Sequence, residues 1–583
     1  MTNRYLSRMA LAALIIAAGS SAAWGKPASR RTVDVVQPDG STVAIRTIGD
    51  AFHHYNITSD GFPVIHHPDY GTVYARLHAD GQIEPTEIIA HNPEARTDNE
   101  LKLISTLTND TEELNGISAA ARNLRRGPGL KSDNFPTKGN QHALVILVEF
   151  QDMKFDTYNK DRYKYSTYSD SDNPVFQYWH DMLNLEGFNG FGGTGSCRDW
   201  FLQNSADSDG NPQFDPSFDL FGPVTLPDNM EVYGRNDNYN NDINPQKMVI
   251  DACHLLDDQI DFSIYDTNGD GEVDNIFIFY AGYGEADSGT KYPDTIWPHS
   301  WDLTKNNEEF VLDGVRINHY ACSNETDYFM NRPDGIGTFV HEFSHVLGLP
   351  DLYATEKTGA YTPGEYSVLD YGPYNNNGRT PPNYSAYERY ALDWLTPEEY
   401  DLSGEYELGN LADTNKAFIV RTAQPEEYFL IENRQQSGWD IYLPGHGMII
   451  WHVDYDPAIF KQNIVNNTPN HQHVDLVEAN RRYQSKYAEG HTFPGANNVT
   501  SYNFADWNRK DCGVSFSMIS ELNGIIHKTV EVSESGIAPI LPYIDKEDSG
   551  NAMIYNLQGM PVSDPRPGDI VICRGRKVMV PRH

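Results

Sequence analysis

The segment HEFSHVLGLPD, residues 341–351, has the residue types and the spacing of a catalytic metal site. His341 and His345 are four residues apart, so on a helix they lie only about 40° apart around the axis and both imidazoles can face one ion. Glu342 can reach a water molecule on that ion without being a ligand, and neutral imidazoles suit zinc. The alternative is a core helix with two buried histidines that bind nothing.

The residues after the second histidine favour the metal interpretation. Gly348 can adopt the left-handed backbone that ends a helix, and Pro350 prevents the helix from resuming. The chain can then turn back and present Asp351 as a third ligand, which leaves one position open for water. Glu342 could accept a proton from that water and later protonate a leaving amine. The chemistry that this site suits is amide hydrolysis.

A second set of candidate ligands lies in DTNGDGEVD, residues 266–274. Oxygen-bearing side chains recur at alternate positions, and Gly271 stands where calcium loops turn sharply. Phe277 occupies the twelfth position, where an EF-hand supplies a bidentate glutamate, so we expect a structural calcium loop rather than a sensor. The predicted calcium ligands are Asp266, Asn268, Asp270, Glu272 and Asp274.

Length and charge limit the class of protein. A chain of 583 residues is too long for one ordinary core. Its 44 basic and 82 acidic side chains give a net charge of −38, which argues against nucleic acid or an anionic membrane surface as the main partner. The five cysteines are odd in number and include no CxxC pair, so they permit disulfides without indicating a disulfide framework.

The N-terminus has the pattern of an export signal. Arg4 and Arg8 precede an apolar run from Met9 to Ala18, and small residues follow it, so residues 1–25 are predicted to be a signal peptide. An anchoring helix is the alternative, but the run is shorter than the roughly 20 residues that a membrane span needs. We therefore expect a secreted or cell-surface protein with no transmembrane span.

Apolar patterns divide the rest of the chain. Residues 26–135 are predicted to be a pro-domain and linker, with β-like runs and a helical stretch from Asp98 to Ala121. Arg125 and Arg126 precede a Gly/Pro/Lys segment that is either a cleavage site or a plain interdomain linker.

Buried strands such as HALVILVEF and NIFIFYAGYG alternate with helical patterns and predict an α/β catalytic domain over 136–400. Residues 401–540 have the pattern of a β-rich C-terminal module, and residues 541–583 form a separate tail.

Several segments together carry a family resemblance. GTFVHEFSHVLGLPDLY, followed by YSVLDYGPYN and TPPNYSAYERYALDWLTP, resembles the immune inhibitor A family of secreted bacterial metalloproteases over about residues 140–500. The resemblance implies a metzincin-like zincin fold that acts on protein or peptide substrates. It also implies zinc on His341, His345 and Asp351, with the aspartate in place of the histidine of most metzincins.

Two positions near this motif are judged against the family pattern. Leu369 stands where the family usually has a methionine beneath the zinc; the two side chains have similar volumes, so the change should cost less than about 1.5 kcal/mol and leave the floor of the site in place. Any penalty should fall on turnover rather than on metal binding. Tyr371 lies at the offset of a tyrosine that supports the oxyanion in some metzincins, and a packing role is the alternative.

The terminal segments carry two further resemblances. GDAFHHYNITSDGFPV resembles the pro-regions of secreted bacterial proteases, and the histidines near it could reach the zinc in a zymogen; they are His53, His54, His66 and His67. MIYNLQGMPVSDPRPGDIVICRGRKVMV resembles the C-terminal sorting tails of the type nine secretion system, which implies an export machinery as partner. A closing β-hairpin is the alternative for this tail.

The leading hypothesis is a secreted, zymogen-type zinc endopeptidase. One alternative is a catalytically weak zinc-binding surface adhesin, which Leu369 keeps open; Glu342 argues against it, since metal binding alone needs no base. The other is a calcium-stabilised module that binds glycans or host proteins, centred on residues 400–540.

Overall fold

The structure is a computed structural model, and the residues that it describes are 26–29, 31–50, 53–67, 69–77, 83–107, 135–155, 173–237, 241–288, 291–303, 310–355, 360–400, 402–424 and 426–533, with short strands at 554–555, 570–573 and 576–579. The predicted signal peptide and the linker around Arg125 lie outside these residues. No helix in the described ranges has the length and apolar character needed to cross a bilayer.

The N-terminal region is a six-stranded antiparallel sheet in which the strands follow sequence order. They are Val33–Val36, Thr42–Asp50, His53–Thr58, Pro63–His67, Gly71–Leu77 and Ile83–Ile89. One face packs around Val43 and Tyr74, and the helix Asp98–Ile104 covers it. A capping box between Thr97 and Glu100 starts this helix. The helix ends at Ile104, with a turn over residues 105–107, so the predicted continuous helix from Asp98 to Ala121 is wrong at its C-terminal side. Residues 108–121 lie outside the described residues.

A mixed sheet forms the centre of the molecule, with a short strand, Arg332–Pro333, beside its second strand. In spatial order its strands are His299–Asp302, His319–Asp327, Ile276–Tyr283, Gly139–Glu149 and Phe214–Thr225. The edge strand His299–Asp302 and the short strand Arg332–Pro333 pair antiparallel with His319–Asp327, and the other neighbours pair in parallel. The two predicted buried strands, Gly139–Glu149 and Ile276–Tyr283, are two of the three inner strands, as expected for unbroken apolar runs covered on both faces.

Helices cover both faces of this sheet, so the class is mixed α/β as predicted. They are Pro174–Asn184, Cys197–Asn204, Glu231–Gly234, Pro245–Leu256, Glu285–Ser288, Ile336–Val346 and Ala386–Ala391. We call Ile336–Val346 the motif helix. Its Phe339 and Phe343 pack edge-on against Phe218, which fixes the helix on the sheet. Single 3₁₀ turns occur at Pro93–Ala95, Gly190–Gly192, Phe262–Tyr265, Gly364–Tyr366, Gly372–Tyr374, Gly438–Tyr442 and Ser485–Gly490.

Two further sheets form the C-terminal region, with short helices at Leu411–Thr414 and Pro457–Lys461. The first contains Glu398–Glu399, Phe418–Arg421, Glu427–Arg434, Gly447–Asp454 and Val474–Leu476. The second contains Gly404–Leu408, Ile525–Val532, Asp511–Leu522 and Tyr502–Ala505. They enclose a core of their own.

The first C-terminal sheet also belongs to the main core of the molecule. Its Leu430, Ile449 and Trp451 are fully buried in the cluster that contains Phe339 and Phe343 of the motif helix. The main core therefore runs across the predicted boundary at residue 400.

Smaller elements complete the described chain. Val311–Leu312 and Val315–Arg316 form a hairpin. Within the predicted tail, Ile554–Tyr555, Ile570–Cys573 and Arg576–Met579 form a three-stranded antiparallel sheet, which is compatible with both interpretations of the tail. Four cysteines are buried free thiols, namely Cys197, Cys253, Cys322 and Cys512.

Candidate metal centre

The three predicted zinc ligands converge at the C-terminal end of the motif helix. The Nε2 atoms of His341 and His345 are 3.3 Å apart, and Asp351 Oδ1 lies 3.5 Å from the first and 3.2 Å from the second. Ligand atoms that share one tetrahedral zinc ion lie about 3.4 Å apart. Asp351 Oδ1 is buried and has no hydrogen-bond partner among the described residues, as expected for an atom that awaits a cation. The residues present therefore fit a metal ion.

Backbone carbonyl groups fix both imidazoles. His341 Nδ1 lies 2.8 Å from Val368 O, and His345 Nδ1 lies 2.8 Å from Leu349 O. A carbonyl oxygen only accepts hydrogen bonds, so each Nδ1 carries the proton and each Nε2 directs its lone pair into the ligand group.

A residue of the C-terminal region fixes Asp351, the third predicted ligand. Asn463 Nδ2 donates to Asp351 Oδ2 at 2.6 Å, and the backbone N–H of Asp351 donates to Asn463 Oδ1 at 3.0 Å. One carboxylate oxygen is thereby held in place while Oδ1 remains for the ion. The predicted catalytic domain does not hold its own third ligand in place without help from beyond residue 400.

The helix ends as the sequence predicts. Gly348 has a φ of +93°, and its N–H donates to His345 O at 2.9 Å. The chain then reverses, and Leu352 N donates to Leu369 O at 2.8 Å. Leu369 is fully buried, and the neighbouring Val368 carbonyl accepts from His341, so this turn lies directly against the ligand group.

Burial sets the protonation of the site. It lowers the pKa of His341 to about 3, with the neighbouring His345 as a second cause, so the ring is neutral as a metal ligand must be. Burial, together with the charge of Asp351, raises the pKa of Glu342 well above its usual range. A cation at the ligand group would favour the carboxylate and oppose this shift.

Residues 26–29 lie against Glu342, a contact that the sequence motifs did not predict. The backbone N–H of Lys26 donates to Glu342 Oε1 at 3.0 Å, and the Tyr374 hydroxyl donates to Pro27 O at 2.6 Å. Glu342 Oε2 has no partner within the described part of the chain. The only local signal was the position of Lys26 directly after the predicted signal peptide.

The histidines of the N-terminal region have other partners. His54 stacks on Trp297 with ring centroids 4.2 Å apart, and its Nε2 lies 3.1 Å from Glu285 Oε1. His66 and His67 lie on the strand Pro63–His67 and are not part of the ligand group. The His53 side chain lies outside the described part of the structure.

Tyr371 lies in the turn after Leu369. Its backbone N–H donates to Gly364 O at 3.1 Å, and its ring centroid is 6.3 Å from that of Tyr374. These contacts fit a packing role as well as a role near the reacting groups, and the oxyanion role stays a prediction.

The predicted calcium loop is held by its own backbone. Asp266 accepts from the N–H groups of Asp270 and Gly271 at 3.0 and 2.9 Å, and Asp270 accepts from that of Glu272 at 2.9 Å. The carboxylate of Glu272 pairs with Arg316 and with His319, which leaves its backbone carbonyl as the atom for a loop ion.

The last carboxylate of the loop is partly shielded from water. Burial raises the pKa of Asp274 to about 6, although hydrogen bonds from Thr267 oppose the shift.

A second group of metal-binding residue types was not predicted. Ligand atoms of Asp454, His471 and His473 lie within 4.8 Å of one another. His471 Nε2 is 2.6 Å from Asp454 Oδ2, and His473 Nδ1 is 2.5 Å from Asp454 O. These two hydrogen bonds explain why the three residues lie together. The sequence HQH at 471–473 was the available signal.

Comparison with known proteins agrees with the geometry. Residues 132–397 match the family model described as the immune inhibitor A peptidase M6 catalytic domain. The pre-pro-metalloprotease PrtV of Vibrio cholerae serotype O1 (strain M66-2) is 28% identical over 304 residues, and the match covers 46% of this chain and 32% of that protein. Immune inhibitor A of Bacillus thuringiensis subsp. alesti is 29% identical over 310 residues, and the match covers 46% of this chain and 43% of that protein.

The chain thus spans less than half of the length of these curated relatives. The match includes HEFSHVLGLPD and the turn at Leu369, so the resemblance inferred from those segments is confirmed. Residues 132–397 of this chain are therefore similar to the catalytic domain of the immune inhibitor A peptidase M6 family.

Proposed function

We propose that the protein is a secreted zinc-dependent endopeptidase, made as a zymogen, that hydrolyses peptide bonds in extracellular proteins. The observation that carries the proposal is the convergence of His341, His345 and Asp351 beside the buried Glu342. The match of residues 132–397 to the model of a peptidase family supports the same reaction class.

Zinc is the ion that this ligand set fits best. Two neutral imidazoles and one carboxylate form a three-ligand set that leaves a position open for water or substrate. When bound, zinc would supply a Lewis acid that polarises the scissile carbonyl and the water.

Glu342 is the proposed general base and acid. Its Oε1 already accepts an N–H group at 3.0 Å, so it stands where it can hand a proton to the nitrogen of a broken peptide bond. Burial raises its proton affinity, which helps it to hold the proton between the two transfers. The bonds from Nδ1 of His341 and His345 keep the ligands oriented meanwhile.

The N-terminal region is the proposed inhibitor of the zymogen. Lys26 is 2% exposed and donates to the base, so a substrate cannot reach Glu342 while residues 26–29 are in place. Cleavage within the linker around Arg125 and Arg126 would release this region. Export is proposed from the N-terminal signal pattern and from the tail, with an export machinery as partner.

Further site roles are part of the proposal. Tyr371 supports the oxyanion, and a structural calcium ion binds through side-chain oxygens of Asp266, Asn268, Asp270 and Asp274 and the Glu272 carbonyl. The loop precedes the buried strand Ile276–Tyr283, which such an ion would anchor.

One comparison tests the function. The full chain is expressed, processed at the linker by limited proteolysis, analysed for zinc and incubated with denatured casein. We expect one zinc per chain in the parent and in Glu342→Ala, with a rate at least about a hundredfold lower in the variant. Glu186→Ala, which removes an exposed carboxylate of the same domain, is the matched control.

The proposal is contradicted if the parent binds zinc but hydrolyses casein no faster than Glu342→Ala does. That result would favour the adhesin, for which the buried Glu342 has no task.

A further inference from the structure

The side chain of Lys26 fills a buried pocket beside Glu342. Its Nζ donates to Thr338 Oγ1 at 3.1 Å and lies 3.5 Å from Asp287 Oδ2. The ring of Tyr374 is 5.2 Å from the same nitrogen, within the range of a cation–π contact. A lysine ammonium is thus removed from water next to the proposed base.

Three buried carboxyl groups lie around the single ammonium of Lys26. Asp287, Asp327 and Asp334 are each at most 6% exposed, and Thr338 Oγ1 donates onward to Asp334 Oδ2 at 2.9 Å. Asp287 Oδ1 is buried and has no hydrogen-bond partner among the described residues. Buried carboxylates are costly unless a cation accompanies them, so this pocket favours a cationic occupant.

The charge of Lys26 follows from these neighbours. Burial alone would lower its pKa, but Asp287 and then Asp334 raise the pKa above the usual value of lysine. Lys26 is therefore bound as a cation rather than as a neutral amine.

The backbone of Lys26 shows which substrate position the pocket serves. Its N–H donates to Glu342 Oε1, and in peptide hydrolysis the nitrogen that this base must reach belongs to the residue after the scissile bond. Trp297 Nε1 donates to Lys26 O at 3.1 Å, which holds the same residue from its other side. Lys26 thus occupies the position that we expect for the substrate residue directly after the scissile bond.

The walls of the pocket do not leave with the N-terminal region. Asp287, Asp327, Asp334, Thr338 and Tyr374 all lie within residues 132–397, the part that matches the peptidase family. Release of residues 26–29 would leave buried carboxylates without their cation. A substrate with a basic side chain would replace it.

We propose that this pocket selects a lysine-like cationic side chain for the substrate residue that follows the scissile bond. The inference rests on the proposed peptidase function and adds a substrate class to it.

Kinetics with matched peptides test the pocket. The full chain, processed at the linker, is assayed on two peptides that differ only in lysine or norleucine after the scissile bond. We expect kcat/KM to be at least about thirtyfold higher for lysine, and Asp287→Asn to reduce that ratio at least about tenfold. Thr338→Val, which removes one acceptor at nearly constant volume, should reduce it as well. Asp294→Asn, an exposed carboxylate nearby, should leave the ratio unchanged.

Binding gives a readout that does not depend on turnover. The peptide Lys-Pro-Ala-Ser, the sequence of residues 26–29, is compared with norleucine-Pro-Ala-Ser by calorimetry on the processed protein. We expect the lysine peptide to bind at least about tenfold more tightly and Asp287→Asn to remove the difference. Equal binding of the two peptides would overturn the pocket.

The two proposals fail in different ways. Casein fragments that begin with apolar residues, produced by the parent but not by Glu342→Ala, would overturn the pocket and leave the peptidase function intact. A parent that hydrolyses no peptide yet binds the lysine peptide selectively would support the pocket and overturn the function.

Discussion

Lys26 and Lys528 are both buried, one in each terminal region, and they differ in what surrounds them. Lys26 lies among carboxylates that raise its pKa. Lys528 lies 5.2 to 5.6 Å from the ring centroids of Tyr400, Phe418 and Phe516, and burial lowers its pKa to about 7. Its Nζ has no hydrogen-bond partner within the described residues. The carboxylates around Lys26 stabilise its charged form. The apolar surroundings of Lys528 destabilise its charged form and lower the stability of the folded protein.

The N-terminal and C-terminal regions also differ in how they pack against the family-matched domain. The N-terminal sheet packs around its own small core, against which Tyr328 and Phe329 of the family-matched domain also pack. Its His54 contacts the same domain at Trp297 and Glu285. The C-terminal region shares the main core with the motif helix and holds Asp351 through Asn463. The N-terminal region can therefore leave without opening the main core, and the C-terminal region cannot.

The largest effect should come from removing the C-terminal region, whereas removal of the N-terminal region should leave the rest of the protein folded. A chain that ends at residue 400 would expose the side of the main core that Leu430, Ile449 and Trp451 cover, so we expect no cooperative unfolding transition by circular dichroism. Removal of residues 26–134 by cleavage after folding should leave such a transition. A truncated chain that unfolds cooperatively and binds zinc would show that the shared core is dispensable.

Replacing Lys528 should stabilise the protein. The pKa of Lys528 in the folded protein, about 7, lies below its usual value of 10.5, so the folded state binds fewer protons between these pH values and stability rises with pH there. Lys528→Met should add roughly 3 to 5 kcal/mol to the free energy of unfolding near pH 7 and far less near pH 10.5. Urea unfolding at both pH values measures the gain, and an equal gain at both would contradict the assignment.

Asn463 should control metal affinity from outside the family-matched domain. Asn463→Gly removes both contacts with Asp351 and suits the backbone, since Asn463 has a φ of +52°. We expect zinc affinity, measured by competition with a chelator, to fall about 10- to 100-fold. Asn498→Gly, at an exposed position with a φ of +50°, is the matched control. Equal loss in both variants would point to backbone flexibility rather than to the contacts with Asp351.

Lys26 should affect latency but not metal binding. Lys26→Met removes the ammonium from its pocket while the N–H bond to Glu342 can remain, so we expect the activity of the unprocessed chain to rise about tenfold. Lys102→Met, at an exposed position of the same region, should change nothing. Unchanged latency in Lys26→Met would assign inhibition to the rest of the N-terminal region.

Local patterns predicted the parts of the site that are close in sequence. The four-residue spacing of His341 and His345 and the helix stop at Gly348 bring these two side chains and Asp351 together because the geometry is local. Two of the three inner strands of the central sheet, Gly139–Glu149 and Ile276–Tyr283, were predictable for a similar reason, since each contains one unbroken apolar run.

Contacts between distant residues were not predictable from one sequence. Lys26 and Glu342 are 316 residues apart, and Asn463 and Asp351 are 112 apart, so no spacing rule connects them. The pairing of Glu272 with Arg316 and His319 was hidden in the same way, because a loop pattern gives no sign of a partner on another strand. The core shared across residue 400 depends on which faces of the two sheets pack together. The alternation of apolar and polar residues along a strand does not determine that packing.

The indole of Trp297 gives the proposed activation an optical signal. It is 1% exposed, donates to the Lys26 carbonyl and is covered by the ring of His54. Both partners belong to the N-terminal region, so its release would place this indole in water. The tryptophan emission of the protein should then shift to longer wavelength, and the conversion of latent into active protein can be followed in a fluorimeter without any substrate.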